Sequence, residues 1–349
     1  MASLHNLAVP KGSLVLVTGA NGLLGTNTAD QFLQYGYKVR GTVRDMEKNA
    51  WVQALFDQKY GKGNFELYKV EDLMAEDAFD EAVKGTSVVV HTASIVSLSA
   101  DPNAVIPPAI TFALNALKTA YKEPSVKRFV LTSSSSAATF PEAGTPAFDV
   151  TEDTWNDAAV KAAWAEPPYT EDRGTTVYAA SKTESERAVW KYHKENRGSR
   201  PDLVVNTVLT PVNFGKSIDP VHQGYPSSAV IPAGLWRGQL TSFHRLFPAQ
   251  WFIDHGDTGR LHVAAAIFEH VKDQRIFGFA GRFSMDEILD ILRKAAPDRK
   301  FPDNFSGGRD LTEIKPRDKA EQLLRDLGRP GWVTLEESIL ANVSDLRDS

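Results

Sequence analysis

Tyr178 and Lys182 are a phenol and an amine four residues apart, in the segment Tyr-Ala-Ala-Ser-Lys. The surrounding pattern predicts a helix over residues 177–196, and side chains at i and i+4 share one face of a helix. A tyrosine hydroxyl can supply the proton that a carbonyl oxygen gains when its carbon accepts a hydride. A nearby ammonium favours the tyrosinate, so we expect it to lower the tyrosine pKa from its ordinary value of about 10. The pair therefore predicts carbonyl reduction, with Tyr178 as the proton donor.

A run of four serines follows a strand predicted over residues 128–132. A serine hydroxyl beside the tyrosine would orient the carbonyl oxygen and stabilise the charge that develops on it. If the chain stays extended, Ser134 and Ser136 lie on one face and Ser133 and Ser135 on the other. The pattern does not choose one serine within either pair.

A glycine-rich turn, Thr18-Gly-Ala-Asn-Gly-Leu-Leu-Gly25, lies between a predicted strand and a predicted helix near the N-terminus. Gly19 allows the tight turn, Gly22 the close approach of a diphosphate, and Gly25 the packing of helix on sheet. The free N–H groups at the start of the helix favour an anion. The predicted dinucleotide contacts in this turn are Gly19, Asn21, Gly22, Leu23, Leu24 and Gly25.

The end of the second predicted strand distinguishes between the two nicotinamide cofactors. An enzyme that uses NAD has an acidic residue there, about 20 residues after the turn, to bind the ribose 2′-hydroxyl. This chain has Arg40, followed by Arg44. A guanidinium binds the 2′-phosphate of NADPH through paired charge-assisted hydrogen bonds. The sequence therefore predicts NADPH rather than NADH, with a solvated strand-end charge as the alternative role of Arg40.

The composition excludes several other chemistries. The chain of 349 residues has no cysteine, so disulfides, thiolate catalysis and cysteine-bound metals are ruled out, and its eight histidines form no pair with metal-site spacing. A net charge of −5 gives no general attraction to nucleic acid or to anionic membranes. Residues 1–10 lack a signal-peptide pattern, and no apolar run reaches the ~18 residues of a membrane span. We expect a cytosolic protein, a monomer or homodimer, whose partner is a small carbonyl substrate.

Short apolar runs alternate with longer helical patterns along the first two thirds of the chain. Predicted strands cover residues 14–17, 37–43, 65–69, 87–91, 128–132, 203–208 and 275–279. Predicted helices cover residues 23–35, 45–58, 77–84, 103–121, 177–196, 260–270 and 285–295. This alternation indicates an α/β fold with a doubly wound parallel sheet, a Rossmann fold. We expect an NADP-binding domain over residues 1–212, with return segments near 250–270, and a smaller, mixed substrate-binding lobe over residues 213–349.

Together these motifs resemble the extended short-chain dehydrogenase/reductases, in particular the dihydroflavonol reductase-like branch with its fungal NADPH-dependent aldehyde reductases. The resemblance covers nearly the whole chain. Its most specific stretches are Gly12-Ser-Leu-Val-Leu-Val-Thr-Gly-Ala-Asn-Gly22, Tyr178-Ala-Ala-Ser-Lys-Thr-Glu184, and residues 36–42, 124–134 and 327–332. It implies a Rossmann fold, NADPH as the cofactor, and the reduction of aldehydes or ketones to alcohols.

The resemblance also implies roles for individual residues. The second serine of Thr-Ser-Ser is catalytic in the family, which here implies Ser134 together with Tyr178 and Lys182. The implied cofactor contacts beyond the glycine turn are Asp72 and Leu73 at the adenine, His91, Thr92 and Ala93 along the nucleotide, Thr132, and Pro211 and Phe214 beside the carboxamide.

Some residues carry competing interpretations. Phe112 and Ala113 stand where relatives often have a Gly-Thr pair, so Asn115 is assigned to helix packing or a local hydrogen bond and not to catalysis. Trp155 is expected to be a packing anchor. Six aromatic residues could line a substrate pocket or form the core of the second lobe, and these are Phe140, Phe214, Tyr225, Trp236, Phe243 and Phe247.

Two other functions remain open on the same scaffold. One is an NAD-dependent nucleotide-sugar epimerase or dehydratase, in which the NAD stays tightly bound. The other is a non-catalytic NADP-binding regulator, a class that tends to lose the tyrosine or the lysine. This chain keeps both residues and has an arginine at the cofactor-selecting position, which favours the carbonyl reductase.

Overall fold

A computed structural model describes residues 6–140, 145–247, 249–305 and 308–347 of the chain. Its strands are β1 Leu14–Thr18, β2 Lys38–Val43, β3 Phe65–Lys69, β4 Val88–His91, β5 Arg128–Ser134, β6 Asp149–Val150, β7 Val204–Thr210, β8 Val212–Phe214, β9 Ala249–Asp254, β10 Arg275–Phe277, β11 Gly281–Ser284 and β12 Glu313–Ile314. Its helices are α1 Leu23–Gln34, α2 Ala50–Tyr60, α3 Pro102–Lys122, α4 Asp157–Ala163, α5 Gly174–Asn196, α6 Val230–Trp236, α7 Ser242–Leu246, α8 His255–Ile267, α9 Met285–Ala295, α10 Arg317–Asp326, α11 Leu335–Asn342 and α12 Ser344–Arg347.

Seven of these strands pair in parallel to form the main sheet, in the order β10-β7-β5-β4-β1-β2-β3. In a second sheet, β9 pairs in parallel with β8 and antiparallel with β11, while β6 pairs with β12. Helix α8 packs against β5 and β7, and β10 joins the edge of the main sheet, so the chain returns to this sheet after β9. The predicted α/β fold with a parallel main sheet and a smaller mixed lobe is confirmed.

The buried strands explain the apolar runs in the sequence. Neighbouring side chains of β1 point to opposite faces of the sheet, and both faces are covered by helices. Val15 belongs to the same buried cluster as Phe32 of α1, whereas Leu16 belongs to the cluster that contains Leu117 of α3. Because neither face contacts water, both alternating positions have to be apolar.

The strand order also fixes where a ligand can bind. Strand β2 lies on one side of β1 and β4 lies on the other, so the connections after β1 and β4 diverge above the sheet. Where the strand order reverses direction in this way, a crevice opens at the carboxyl ends of the parallel strands. The glycine-rich turn follows β1 and the predicted nucleotide contacts Thr92 and Ala93 follow β4, so both border this crevice.

The helix predicted over residues 77–84 is wrong. This segment forms successive turns in which N–H groups bond three residues back, as Asp80 does to Asp77. Phe79, Ala82 and Val83 are buried in the cluster that contains Leu16 of β1, and Gly85, with φ of +72°, ends the segment. Helix α2 begins at Ala50 and not near residue 45. No helix within the described ranges is long and apolar enough to cross a bilayer.

Candidate active site

A cavity of about 1040 Å³ opens at the carboxyl ends of the main-sheet strands, at the crevice between β1 and β4. Open α/β sheets bind their ligands at this place. The predicted site residues that the structure brings together along its wall are Gly19, Asn21, Gly22, Leu23, Leu24, Gly25, Arg44, Asp72, Leu73, Thr92, Ala93, Thr132, Ser134, Tyr178, Lys182 and Pro211. Three others, Arg40, His91 and Phe214, lie outside this wall.

The turn between β1 and α1 is so tight that two positions require glycine. Gly19 has φ of +68°, and a Cβ added there would lie 3.1 Å from the Cα of Ala93. A Cβ at Gly25 would lie 2.1 Å from the carbonyl oxygen of Gly19, which real contacts do not allow. No side chain caps the N-terminus of α1, which begins after Gly22. The turn therefore offers backbone N–H groups at close range, the arrangement that suits a diphosphate.

Ser134, Tyr178 and Lys182 meet in this cavity. Ser134 ends β5, while Tyr178 and Lys182 lie one turn apart on α5. The Tyr178 hydroxyl forms a hydrogen bond with Ser134. The Lys182 ammonium lies 5.8 Å from the centre of the Tyr178 ring and donates a 2.7 Å hydrogen bond to the Ser94 hydroxyl. One wall of the cavity therefore carries a phenol that could donate a proton, a serine hydroxyl that could orient the group receiving it, and a cation.

Burial sets the protonation of this group. It raises the pKa of Tyr178, and the hydrogen bond with Ser134 opposes that rise. Burial also lowers the pKa of Lys182 to about 8. Burial of the Tyr178 ring is the largest influence on its pKa here, and the lowering expected from Lys182 together with an oxidised nicotinamide stays a prediction. Tyr178 consequently keeps its proton at neutral pH, which is the form that a proton donor needs.

The structure also distinguishes between the serines. The Ser133 hydroxyl donates a 2.6 Å hydrogen bond to a carboxylate oxygen of Glu186, so it is already engaged. Extended geometry stops at Ser134, because residues 135–137 form a short 3₁₀ turn. The face alternation assumed for all four serines therefore ends within the run. Ser134 is the serine that bonds to Tyr178, as the family resemblance implied.

Glu186 was missed in the sequence, although it continues the spacing of Tyr178 and Lys182 by one more turn of α5. Its carboxylate is fully buried and accepts hydrogen bonds from Ser133 of β5 and Thr207 of β7, at 2.6 and 2.8 Å. It also pairs with the Arg275 guanidinium of β10 at 2.8 Å. Glu186 therefore joins the helix that carries Tyr178 to three strands of the main sheet.

Arg40 does not contact the cavity. Strand β2 continues to Val43, so Arg40 lies in its interior and not at its end. Its guanidinium donates to Glu66 at 2.7 Å and to the Ala82 carbonyl at 2.7 Å. Arg44, four residues later, lines the cavity instead.

Lys48, four residues after Arg44, also lines the cavity. Both cations precede α2, on the connection that leaves β2. The sequence analysis did not predict Lys48. Its spacing of four residues from Arg44 is the pattern that could have identified it. The two cations lie on a wall that also carries the acidic residues Asp45, Glu71 and Asp72.

Phe214 and His91 also have structural roles and do not line the cavity. The Phe214 ring is fully buried, with its centre 5.0 Å from that of Phe283, and the neighbouring Asn213 lines the cavity instead. The three-residue strand β8 is too short for the sequence to show which alternate side chain faces inward. His91 is buried, and its Nδ1 lies 2.9 Å from the Thr18 hydroxyl oxygen. Burial and the charge of Lys182 lower the pKa of His91 to about 3, so this ring is neutral.

The six aromatic residues divide between the two proposed roles. Phe140, Phe243 and Phe247 line the cavity, with the centres of the Phe140 and Phe247 rings 6.1 Å apart. Phe214 and Trp236 are buried in the core of the protein, which is the alternative role. Tyr225 lies outside the cavity wall, where the Arg237 guanidinium is 5.1 Å from the centre of its ring. One side of the cavity is therefore an aromatic wall, formed by Phe140, Phe243 and Phe247.

Two predictions of purely structural roles are confirmed. The Asn115 side-chain amide donates to the carbonyls of Leu73 and Ala75, at 3.2 and 2.8 Å, and so fixes the segment after β3. Trp155 packs flat against Arg275, whose guanidinium carbon lies 3.8 Å from the ring centre. Neither residue lines the cavity.

Comparison with known proteins gives matches along the whole chain. Residues 15–233 match the model of the NAD dependent epimerase/dehydratase family. The chain is 40% identical to Aldehyde reductase 2 of Sporidiobolus salmonicolor, over 97% of each chain. It is 36% identical to the NAD-dependent epimerase/dehydratase terH of Aspergillus terreus, over 95% of this chain and 96% of that protein.

The solved structures agree with the sequence comparisons. The crystal structure of Gre2 from Candida albicans superposes with a TM-score of 0.80 at 25% sequence identity, over 97% of this chain and 99% of that one. The chain is therefore similar to these proteins in sequence and in fold over nearly its full length. This similarity includes the glycine turn, the parallel sheet and the site that contains Ser134, Tyr178 and Lys182. The chain belongs to the NAD dependent epimerase/dehydratase family, within the extended short-chain dehydrogenase/reductases.

Proposed function

We propose that this protein is an NADPH-dependent carbonyl reductase that converts aldehydes or ketones to alcohols. The observation that carries the proposal is the meeting of Ser134, Tyr178 and Lys182 at a nucleotide-binding crevice, with Tyr178 protonated at neutral pH. The aromatic wall beside them suits an apolar substrate. The 40% identity to a protein named aldehyde reductase supports the same reaction. The division of the chain at residue 212 and its cytosolic location stay predictions.

The residues fit a dinucleotide, because the glycine turn lines the cavity and leaves the N-terminus of α1 without a side-chain cap, so that backbone N–H groups can bind a diphosphate. When bound, NADPH supplies the hydride. Ser134 orients the carbonyl oxygen through its hydroxyl, and Tyr178 donates its proton to that oxygen. The Lys182 ammonium stabilises the tyrosinate that remains. The aromatic wall excludes water from the reacting carbonyl.

Arg44 and Lys48 are the residues that would hold the 2′-phosphate of NADPH. We expect Arg44→Ala to raise KM for NADPH about ten- to hundredfold, because each charge-assisted hydrogen bond contributes about 1.5 to 3 kcal/mol. KM for NADH should change little, since NADH has no 2′-phosphate. Initial rates with both cofactors measure the effect. Lys38→Ala, which removes an exposed charge at the start of β2 and outside the cavity, is the control. An unchanged ratio of the two KM values would contradict the assignment.

The pKa values of Tyr178 and Lys182 predict how activity depends on pH. Lys182 loses its proton as the pH rises through about 8, whereas the pKa of Tyr178 is raised, so Tyr178 keeps its proton longer. The charged lysine and the protonated tyrosine therefore coexist below about pH 8. We expect kcat/KM for a carbonyl substrate to fall above that pH. In Lys182→Arg the cation keeps its charge, and the fall should move to higher pH. If kcat/KM of Lys182→Arg fell at the same pH as that of the wild type, the fall would have to come from a group other than Lys182.

The proposal is tested by following the loss of NADPH absorbance with the purified protein and a panel of aryl aldehydes and β-keto esters. Turnover of at least one substrate class is expected. Binding of NADPH without any turnover across the panel would overturn the proposal.

A second candidate is an NAD-dependent epimerase or dehydratase, which the relative terH supports by its name. Such an enzyme keeps its NAD tightly bound, whereas Arg44 and Lys48 favour an exchangeable NADPH. Mass spectrometry of the protein as purified distinguishes the two. One equivalent of bound NAD would favour the second candidate.

A further inference from the structure

The hydroxyl oxygen of Ser134 receives two hydrogen bonds from one residue, Ser136. The Ser136 backbone N–H donates to it at 3.2 Å and the Ser136 hydroxyl donates to it at 2.8 Å. Both serines are buried, and both line the cavity. No other serine of the run bonds to Ser134 within the described part of the chain.

These two bonds restrict what Ser134 can do. A serine hydroxyl has two acceptor lone pairs and one proton to donate. Because Ser136 occupies both lone pairs, Ser134 is left with only its proton to donate, and Tyr178 is its neighbour at the cavity wall.

Ser136 is itself held by contacts from another part of the chain. The Asn156 side-chain amide donates to the Ser136 carbonyl at 3.0 Å, and the Asn156 backbone N–H donates to the Ala137 carbonyl at 3.0 Å. The Asn156 side-chain oxygen also caps α4 through the Ala159 N–H, at 3.1 Å. The 3₁₀ turn that carries Ser136 is therefore fixed before any substrate binds, as a preorganised site requires.

We propose that Ser136 is a positioning residue that fills both acceptor sites of Ser134 and so directs the Ser134 proton to the carbonyl oxygen of the substrate. The proposal rests on the carbonyl reductase function argued above. Without Ser136, the Ser134 hydroxyl could rotate and accept a hydrogen bond from Tyr178. It would then compete with the substrate for the proton that Tyr178 has to donate.

The first test is Ser136→Ala. We expect kcat for NADPH-dependent carbonyl reduction to fall about tenfold, the effect of one lost hydrogen bond, while KM for NADPH stays unchanged. Thr139→Ala is the matched control, because Thr139 is a buried hydroxyl residue three positions further on that does not line the cavity. It should keep the wild-type kcat. A Ser136→Ala variant with wild-type kcat would overturn the proposal.

A double-mutant cycle separates positioning from a general effect on structure. In a Ser134→Ala background, the further change Ser136→Ala should alter the single-turnover rate by less than about twofold, because the group that it orients is gone. A full tenfold loss in that background would show that Ser136 acts independently of Ser134, and the proposal would be wrong. The wild type is measured first. An inactive wild type contradicts the proposed function, whereas an active wild type with an additive cycle contradicts only the role of Ser136.

Discussion

Tyr178→Phe should lower kcat for carbonyl reduction by about 10²- to 10⁴-fold, because it removes the proposed general acid. Binding of NADPH, measured by fluorescence titration, should be retained, since the ring and Lys182 remain. Initial rates of NADPH oxidation measure the loss.

Tyr169→Phe is the control for this substitution. Tyr169 is exposed, lies nine residues earlier in the chain and does not line the cavity, so removal of its hydroxyl should leave kcat unchanged. Full activity in Tyr178→Phe would mean that the proton comes from another donor. The proposed catalytic role of Ser134, Tyr178 and Lys182 would then be wrong.

Glu186→Ala should reduce the free energy of unfolding by about 3 to 5 kcal/mol, because it leaves a buried guanidinium without its partner. Arg275 is only 7% exposed, so water cannot take the place of the carboxylate. The hydroxyls of Ser133 and Thr207 also lose their acceptor. Urea unfolding measures the change, and Glu186→Gln should cost less because its amide oxygen still accepts a hydrogen bond.

The same helix supplies a control for Glu186. Glu195 forms an exposed pair with Lys191 at 4.0 Å, and Glu195→Ala should cost about 0 to 1 kcal/mol, as surface ion pairs do. Equal losses for Glu186→Ala and Glu195→Ala would contradict the anchoring role of Glu186. A larger loss of unfolding free energy in Glu186→Ala than in Glu195→Ala would support the view that the buried pair holds α5, and with it Tyr178, in place.

Elements whose bounds depend on local pattern were predictable. Helix α9 has the predicted bounds, 285–295, because its apolar residues Met285, Ile288, Leu289 and Leu292 repeat with helical spacing and Ser284 caps its first turn. Strand β3 also has the predicted bounds, 65–69. The segment over residues 77–84 shows where local pattern fails to predict structure. Its apolar residues pack against the main sheet without forming a helix.

The site was predictable where the chemistry lies within one element. Tyr178 and Lys182 share a helix face, and the glycine turn is continuous in the sequence. The assignment of Arg40 failed because it depended on where β2 ends, and tertiary packing decides that. For a related reason, the sequence did not show what distinguishes Ser136 from Ser134, and it gave no role to Glu186. Their roles depend on a 3₁₀ turn and on contacts with strands that are distant in the sequence.

The division of the cavity wall between two parts of the chain has a consequence for how such an enzyme diversifies. The proposed proton transfer uses residues of β5 and α5, which are anchored to the main sheet. Phe243 and Phe247 belong to the segment around α7, outside that sheet. Substitutions in this segment can therefore reshape the substrate range of the enzyme while the geometry of proton donation stays intact.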